Sequence, residues 1–297
     1  MDKLIPFTKM SGLGNDFILI DNRFKILSEE EIPFLARKIC THRLSLGADE
    51  LMLIELPSQG GNYTMRTINP DGTEVKMCGN ASRCVARYAY TEGIAGRSQR
   101  IETLGGFVEA YVEDLEVRVG LQITAPPELN ISLEIKDSEG KVVRLTVHSV
   151  EISGAPHAVV FREKAFEAPK DWVSTYGAAL RHHPYFPQGT NVNFVDIKDR
   201  NTLWQRTFER GVEGETMACG TGATASAVIA ATLGLVDSPV TVRVLGGKLR
   251  VSFEKQAGEG GDSTLWKVER PFLGGEARFI AKGTLYPEAW QWETEYR

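Results

Sequence analysis

Residues 69–88 read NPDGTEVKMCGNASRCVARY, and residues 208–225 read FERGVEGETMACGTGATA. Each stretch leaves a glycine-containing turn, passes a glutamate (Glu74, Glu215) and reaches Cys-Gly four residues later (Cys78-Gly79, Cys219-Gly220). A polar residue and a run of small side chains with helical composition follow in both. The echo predicts two halves of similar build, each closing a turn with Cys-Gly at a helix N-terminus. Asn80 and Thr221 read as the N-caps of those helices. Free backbone N–H groups and the positive end of the helix dipole favour an anion there. A cysteine beside that end is expected to have a lowered pKa.

Around these two helices, at 80–92 and 221–234, the chain is dominated by strand-like runs. DFILID (16–21), ADELMLIEL (48–56), YTMRTIN (63–69), FVEAYVEDLEVRVGLQI (107–123), KVVRLTVHSVEI (141–152) and TNVNFVDI (190–197) alternate with near period two. VTVRVL (240–245), LRVSFE (249–254) and ARFIAKGTLY (277–286) continue the pattern. The helix at 221–234 is small and apolar on all sides, so it is expected to be buried. A third helix is expected over 29–40, with Ser28 as its N-cap and Glu31 three residues on. Helices do not alternate regularly with strands, so the fold class is α+β rather than doubly wound. TAPPELN (124–130) reads as the linker, which sets domains of 1–124 plus 275–297, carrying Cys78, and 125–274, carrying Cys219. The tract EKQAGEGGDS (254–263) reads as a hairpin tip.

With 297 residues the chain is long enough for one large or two modest domains with real cores. A net charge of −5 argues against nucleic acid as the main partner. Neither a membrane-spanning apolar run nor an apolar leader is visible, which predicts a cytosolic protein with reduced cysteines.

Cys40 and Cys84 lack the Gly-polar-small context and read as small buried hydrophobes. No C-x-x-C is present, and the five histidines supply no ligand pair near the cysteines, so neither a redox motif nor a metal site is expected. The glycines of SGLGNDF (11–17) precede a strand instead of leading from one into a helix, so the dinucleotide fingerprint fails.

Two Cys-Gly turns facing each other across a cleft would hold one carboxylate and set two sulfurs on opposite faces of the adjacent carbon. Inverting an α-carbon needs a base on one face and an acid on the other, roles that thiolate and thiol can exchange. Charge developing on the carboxylate would sit against both helix N-termini. The scheme requires no cofactor and no metal.

In order along the chain, KMSGLGNDF, NPDGTEVKMCGN, GAPHAV, TNVNFV and FERGVEGETMACGTGA together resemble the diaminopimelate epimerase family of pyridoxal-phosphate-independent epimerases. The resemblance implies two pseudo-symmetric halves, each a sheet wrapped around a central helix, with the last strand returning to the first half. It implies Cys78 and Cys219 as catalytic thiols and Gly79, Asn80, Gly220 and Thr221 as the carboxylate cradle. Asn15, Asn69, Asn191, Glu209 and Arg210 match substrate-binding positions, and His157 matches a histidine near the site. Glu209 and Arg210 would read the distal amine and carboxylate. A homodimer is also what the family implies.

Several positions depart from the family pattern. Ala81 stands where glycine is usual, Ala155 where asparagine is usual, Glu50 where Gln or Gly is usual, and Ser11 where His or Gln is usual. Ala155 and Glu50 are expected near the far end of the substrate, where a buried Glu50 would favour a cationic side chain. The expected activity is cofactor-independent conversion of LL- to meso-diaminopimelate, for lysine and cell-wall synthesis. A same-fold racemase for another amino acid such as histidine is the nearest rival. A non-catalytic amino-acid-binding protein and a thiol redox enzyme are rivals of other classes.

Overall fold

The computed structural model describes residues 3–257 and 266–293. Of the tract 254–263, read as a hairpin tip, residues 258–263 lie outside them. Contacts divide the chain into two units, Met1–Val119 with Gly275–Arg297, and Gly120–Gly274.

The first unit runs β1 (Ile5–Gly12), β2 (Asn15–Asp21), α1 (Glu31–Ile39), β3 (Glu50–Glu55), β4 (Tyr63–Ile68), β5 (Glu74–Val75), α2 (Gly79–Thr91), β6 (Ser98–Thr103), β7 (Gly106–Glu113) and β8 (Glu116–Gly120). The second unit runs β9 (Ile123–Lys136), β10 (Val142–Ile152), β11 (Ala155–Phe161), α3 (Lys170–Arg181), β12 (Asn191–Asp199), β13 (Thr202–Glu209), β14 (Gly214–Thr216), α4 (Gly220–Thr232), β15 (Val240–Val244), β16 (Gly247–Ala257) and β17 (Trp266–Glu276). The last strand, β18 (Arg278–Leu285), pairs antiparallel with β1 in the first unit.

The two units share a pairing scheme. β1–β2 and β10–β11 are antiparallel hairpins, turned by Leu13-Gly14 and Ser153-Gly154, all four at positive φ. Such two-residue turns match the twist of the flanking strands. A helical crossover then gives a parallel pair, β2–β3 through α1 and β11–β12 through α3. An antiparallel return (β3–β4, β12–β13), a short third strand (β5, β14) and the Cys-Gly helix follow in each unit. In register terms Asn15 corresponds to Ala155, Glu50 to Asn191, Asn69 to Glu209 and Cys78 to Cys219.

Alternation along the strands decides which residues meet which helix. In the first unit Ile18, Ile20, Leu51, Leu53 and Ile68 pack with Ile32, Leu35 and Ile39 of α1. The alternate residues Phe17, Leu19, Glu50 and Met52 therefore lie on the α2 face. In the second, Ala158, Val160, Val192, Phe194 and Phe208 pack with Val173 and Leu180 of α3. His157, Asn191, Asn193, Gln205 and Thr207 are left on the α4 face. α2 contacts β1, β2, β3, β4, β6 and β7, and α4 contacts β10, β11, β12, β13, β15 and β16, so each unit wraps its sheet around a central helix. Every residue of α4 except Thr221 is buried, as its small apolar composition predicts.

Several local expectations change. TAPPELN is no linker: it lies within β9, whose ladder with β10 shifts register between Val147 and Ser149 and again between Ser149 and Glu151. Proline, which lacks an N–H, is tolerated in a strand at such irregularities. The run 107–123 is not one strand: Asp114, at positive φ, turns it into the β7–β8 hairpin, and a further break separates β8 from β9. The helix expected over 29–40 spans Glu31–Ile39, with Pro33 in its first turn, where no intrahelical N–H bond is lost. Reciprocal capping is half made, since the Ser28 amide donates to the Glu31 carboxylate at 2.8 Å. Helix α3 has no counterpart in the sequence reading.

Candidate active site

Cys78 is the N-cap residue of α2 and Cys219 that of α4, both with extended backbone. Asn80 and Thr221, expected as caps, are instead the second residues of their helices, because each helix begins one residue earlier, at Gly79 and Gly220. The shift puts each sulfur directly over the first-turn amides. Those of Asn80 and Ala81 favour the Cys78 thiolate, and those of Thr221 and Gly222 favour that of Cys219. The Thr221 hydroxyl adds a contact at 3.6 Å from the Cys219 sulfur.

The lowered thiol pKa expected from the helix ends is nevertheless not what results. Burial dominates, pushing Cys78 well up and Cys219 up to about 12. A carboxylate beside each sulfur adds to the effect, Glu50 at Cys78 and Glu209 at Cys219. Both thiols are therefore neutral near pH 7 in the free protein. Cys40 and Cys84 are buried, each also pushed up to about 12.

The repeated glutamates have a structural role. Glu74 accepts two bonds from Arg66, Nε at 3.0 Å and Nη2 at 2.9 Å. Glu215 accepts two from Arg206, Nε at 2.5 Å and Nη2 at 2.7 Å. Each fork-to-fork pair ties the short strand entering the cysteine turn to the strand before it.

Around Cys78, Glu50 opens β3, and its carboxylate accepts a hydrogen bond from the thiol. It was expected at the far end of a substrate, but it sits at the sulfur because position 50 falls on the α2 face. Asn15 and Asn80 are joined directly, Asn80 Nδ2 donating to Asn15 Oδ1. Asn69, just beyond β4, instead donates to Thr73 Oγ1 at 2.9 Å within its own turn. Gly12 lies so close to the first turn of α2 that a Cβ there would be 3.0 Å from the Asn80 carbonyl.

Around Cys219, Asn191 Oδ1 accepts the Arg210 amide at 2.9 Å, and its Nδ2 donates to the Pro156 carbonyl at 3.2 Å. The Arg210 side chain reaches the Gln188 carbonyl at 3.4 Å. Burial raises the Glu209 carboxyl against the opposing pull of the Thr216 hydroxyl. His157 is fully buried, and burial, with Arg210 nearby, pushes its pKa down to about 3, so its ring is neutral.

Sequence reading missed the residue that orients this histidine. Asn193 Nδ2 donates to the Ala158 carbonyl at 3.1 Å, while Thr207 Oγ1 and Gln205 Nε2 donate to its Oδ1 at 3.0 and 3.3 Å. The amide is thereby fixed with its NH2 toward His157 Nδ1, 3.2 Å away, which puts the ring proton on Nε2. Asn193 also explains Gly222, where a Cβ would fall 2.4 Å from Asn193 Oδ1. The pattern TNVNFV contained this signal, since two asparagines two apart on one strand share a face.

The same architecture recurs in solved structures of low sequence identity. A hydroxyproline epimerase from Agrobacterium vitis matches with a TM-score of 0.67 at 15% identity, covering 97% of this chain and 94% of that one. A PhzF-family phenazine biosynthesis protein from Bacillus anthracis matches at 0.68 and 15%, covering 95% and 99%. The fold is thus the two-half fold of these proteins. In sequence, residues 7–125 and 150–265 match the diaminopimelate epimerase family model. Diaminopimelate epimerase of Moorella thermoacetica is 41% identical over 265 residues, covering 83% of this chain and 91% of that one. That of Aquifex aeolicus is 39% identical over 297 residues, covering 96% and 99%. The chain belongs to the diaminopimelate epimerase family.

Proposed function

We propose that this protein interconverts LL- and meso-diaminopimelate without a cofactor, supplying lysine and cell-wall synthesis, with Cys78 and Cys219 as its acid/base pair. The observation that carries the reading is the duplicated Cys-Gly helix start, in a chain related along most of its length to diaminopimelate epimerases. One sulfur, as thiolate, takes the α-proton from one face, and the other, as thiol, gives a proton to the opposite face. One C–H bond breaks and one forms, and the two sulfurs exchange protonation states, so no redox partner is needed. Amides of Gly79, Asn80, Gly220 and Thr221 hold the α-carboxylate, where charge develops in the transition state.

Both thiols are neutral in the free protein, so ionisation of one is coupled to substrate binding. The substrate's α-ammonium is a cation of the kind that favours a nearby thiolate. Asn15, Asn69, Asn191, Glu209 and Arg210 bind the substrate, with Arg210 on the distal carboxylate and Glu209 on the distal amine. His157 lines the site as a neutral donor. Glu50 faces Cys78, a placement that favours diaminopimelate over the rival reading in which Glu50 selects a cationic side chain such as that of histidine. We also read the protein as cytosolic and homodimeric, on the family pattern.

The test is a panel of LL-diaminopimelate, meso-diaminopimelate, L-histidine and L-proline in D2O, followed by NMR at the α-carbon. Deuterium is expected to enter the diaminopimelates with interconversion of isomers, and not the other two. Exchange into histidine alone would refute the substrate assignment.

A further inference from the structure

Arg83, one turn into α2, is fully buried. Its Nη2 donates to Asn80 Oδ1 at 2.8 Å, while Nε and Nη1 are buried without a protein hydrogen-bond partner among the described residues. A guanidinium so enclosed is costly, and an apolar side chain of similar volume would ordinarily be more stable there. Burial does lower its pKa, yet an arginine remains protonated. Its one hydrogen bond falls on a proposed substrate-binding asparagine.

That bond has a direction. Arginine only donates, so Asn80 must turn its oxygen to Arg83 and its NH2 outward. The NH2 donates to Asn15 Oδ1, which forces the Asn15 NH2 outward in turn, where it donates to Asp49 Oδ2 at 3.0 Å. A carboxylate only accepts, so the chain ends there. Flipping either asparagine would set N–H against N–H at the arginine or oxygen against oxygen at the aspartate. Asp49 is itself anchored, since its Oδ2 accepts the Asp16 amide and its own amide donates to Asp16 Oδ1, both at 3.0 Å. Lys9 pairs with the other Asp16 oxygen at 2.5 Å.

Among the described residues the second unit has no equivalent. By register and helix position Arg83 corresponds to Thr224, Asn80 to Thr221 and Asn15 to Ala155. Thr224 Oγ1 donates to the Gly220 carbonyl of its own helix at 3.1 Å.

We propose that Arg83 and Asp49 are positioning residues, the buried cationic pole and the exposed anionic pole of a directed chain that fixes how Asn80 and Asn15 present their amides to substrate. The proposal rests on the reading that these two asparagines bind the substrate. Arg83→Met removes the donor while keeping bulk, and Arg83→Lys restores a donor and a charge. Asp49→Asn is isosteric, lies at an exposed position, and can point either face at Asn15.

The experiment measures kcat and KM for LL-diaminopimelate, and the side-chain amide 1H–15N resonances of Asn15 and Asn80. Arg83→Met is expected to raise KM roughly tenfold with a smaller fall in kcat, and Arg83→Lys to recover most of it. Asp49→Asn is expected to raise KM roughly threefold and to move the resonances of both asparagines, although of the two only Asn15 is bonded to Asp49. A folded Arg83→Met with wild-type KM, Arg83→Lys as impaired as Arg83→Met, or an Asp49→Asn effect confined to Asn15 would each overturn the proposal. Should Arg83→Met not fold, the Asp49→Asn resonances decide. A wild-type protein inactive on diaminopimelate would refute the proposed function, and the resonances would still report on the chain.

Discussion

In the first unit Glu74 grips Arg66 across β4 and β5, with side chains 27% and 18% exposed. In the second, Glu215 grips Arg206 across β13 and β14, with side chains 4% and 7% exposed. The hairpin turns, the crossovers and the Cys-Gly helix starts repeat just as closely, whereas the side chains around the two sulfurs do not. Asn80 corresponds to Thr221, Ala81 to Gly222 and Arg83 to Thr224 by helix position. Each sulfur has a carboxylate beside it, but Glu50 comes from the start of β3 and Glu209 from the end of β13, two positions that are not equivalent. What repeats is backbone: a turn pinned by an arginine clamp and a helix start whose first amides lie by the cysteine sulfur. In the proposed reaction the α-carboxylate is common to both faces of the reacting carbon, while the substrate's long arm is not. That difference accounts for a repeated cradle and unrepeated walls.

The clamps give the largest expected contrast. Arg206→Met strands a buried glutamate and removes the bond to the Ala168 carbonyl, which is expected to cost about 3–5 kcal/mol in urea unfolding. Arg66→Met leaves Glu74 partly solvated and is expected to cost about 1–2 kcal/mol. Equal losses would break the distinction between a buried and a half-open clamp.

A smaller contrast lies one residue into the cradle. The Gly222 position is closed by Asn193, whereas the matching strand position in the first unit is Met52 and the matching helix residue, Ala81, is fully buried with its methyl group in place. Gly222→Ala is expected to cost about 1–3 kcal/mol and to disturb the Asn193–His157 pair. Ala81→Gly is expected to cost only about 1 kcal/mol, through helix propensity. Paired thermal and kinetic measurements check this, and a Gly222→Ala protein with unchanged stability and rate would contradict the packing account.

The smallest effect concerns ionisation. Glu50 raises the Cys78 pKa, so Glu50→Gln should lower it and leave more thiolate at pH 8. Iodoacetamide labelling of Cys78, followed by mass spectrometry, is expected to quicken up to about tenfold for each unit by which its pKa falls, with Cys219 unaffected. Slower labelling of Cys78 would show that Glu50 acts with the opposite sign.

The duplicated Cys-Gly motif made the two halves legible, because turn, glutamate, cysteine and helix all lie within a short run of chain. The arginines that hold those glutamates were not legible, since only strand register brings Arg66 to Glu74 and Arg206 to Glu215. Helix α3 was missed because its interior of Trp172, Val173, Ser174, Thr175, Tyr176 and Gly177 has weak helix propensity, and tertiary packing of Val173, Gly177 and Leu180 decides the matter. The Pro126-Pro127 pair misled for the converse reason, since an irregular ladder can carry prolines that a regular one would reject. Thiol ionisation was misjudged because helix ends can be read from sequence, while the depth of burial that outweighs them cannot.

The central claim is that two thiols share one proton-transfer reaction. Cys78→Ala and Cys219→Ala, each checked for folding by circular dichroism, would be incubated with LL-diaminopimelate in D2O beside the wild type. The account predicts that the wild type interconverts the isomers with deuterium at the α-carbon, and that each single variant loses interconversion by roughly a thousandfold or more. Interconversion at near wild-type rate in either folded variant would contradict it.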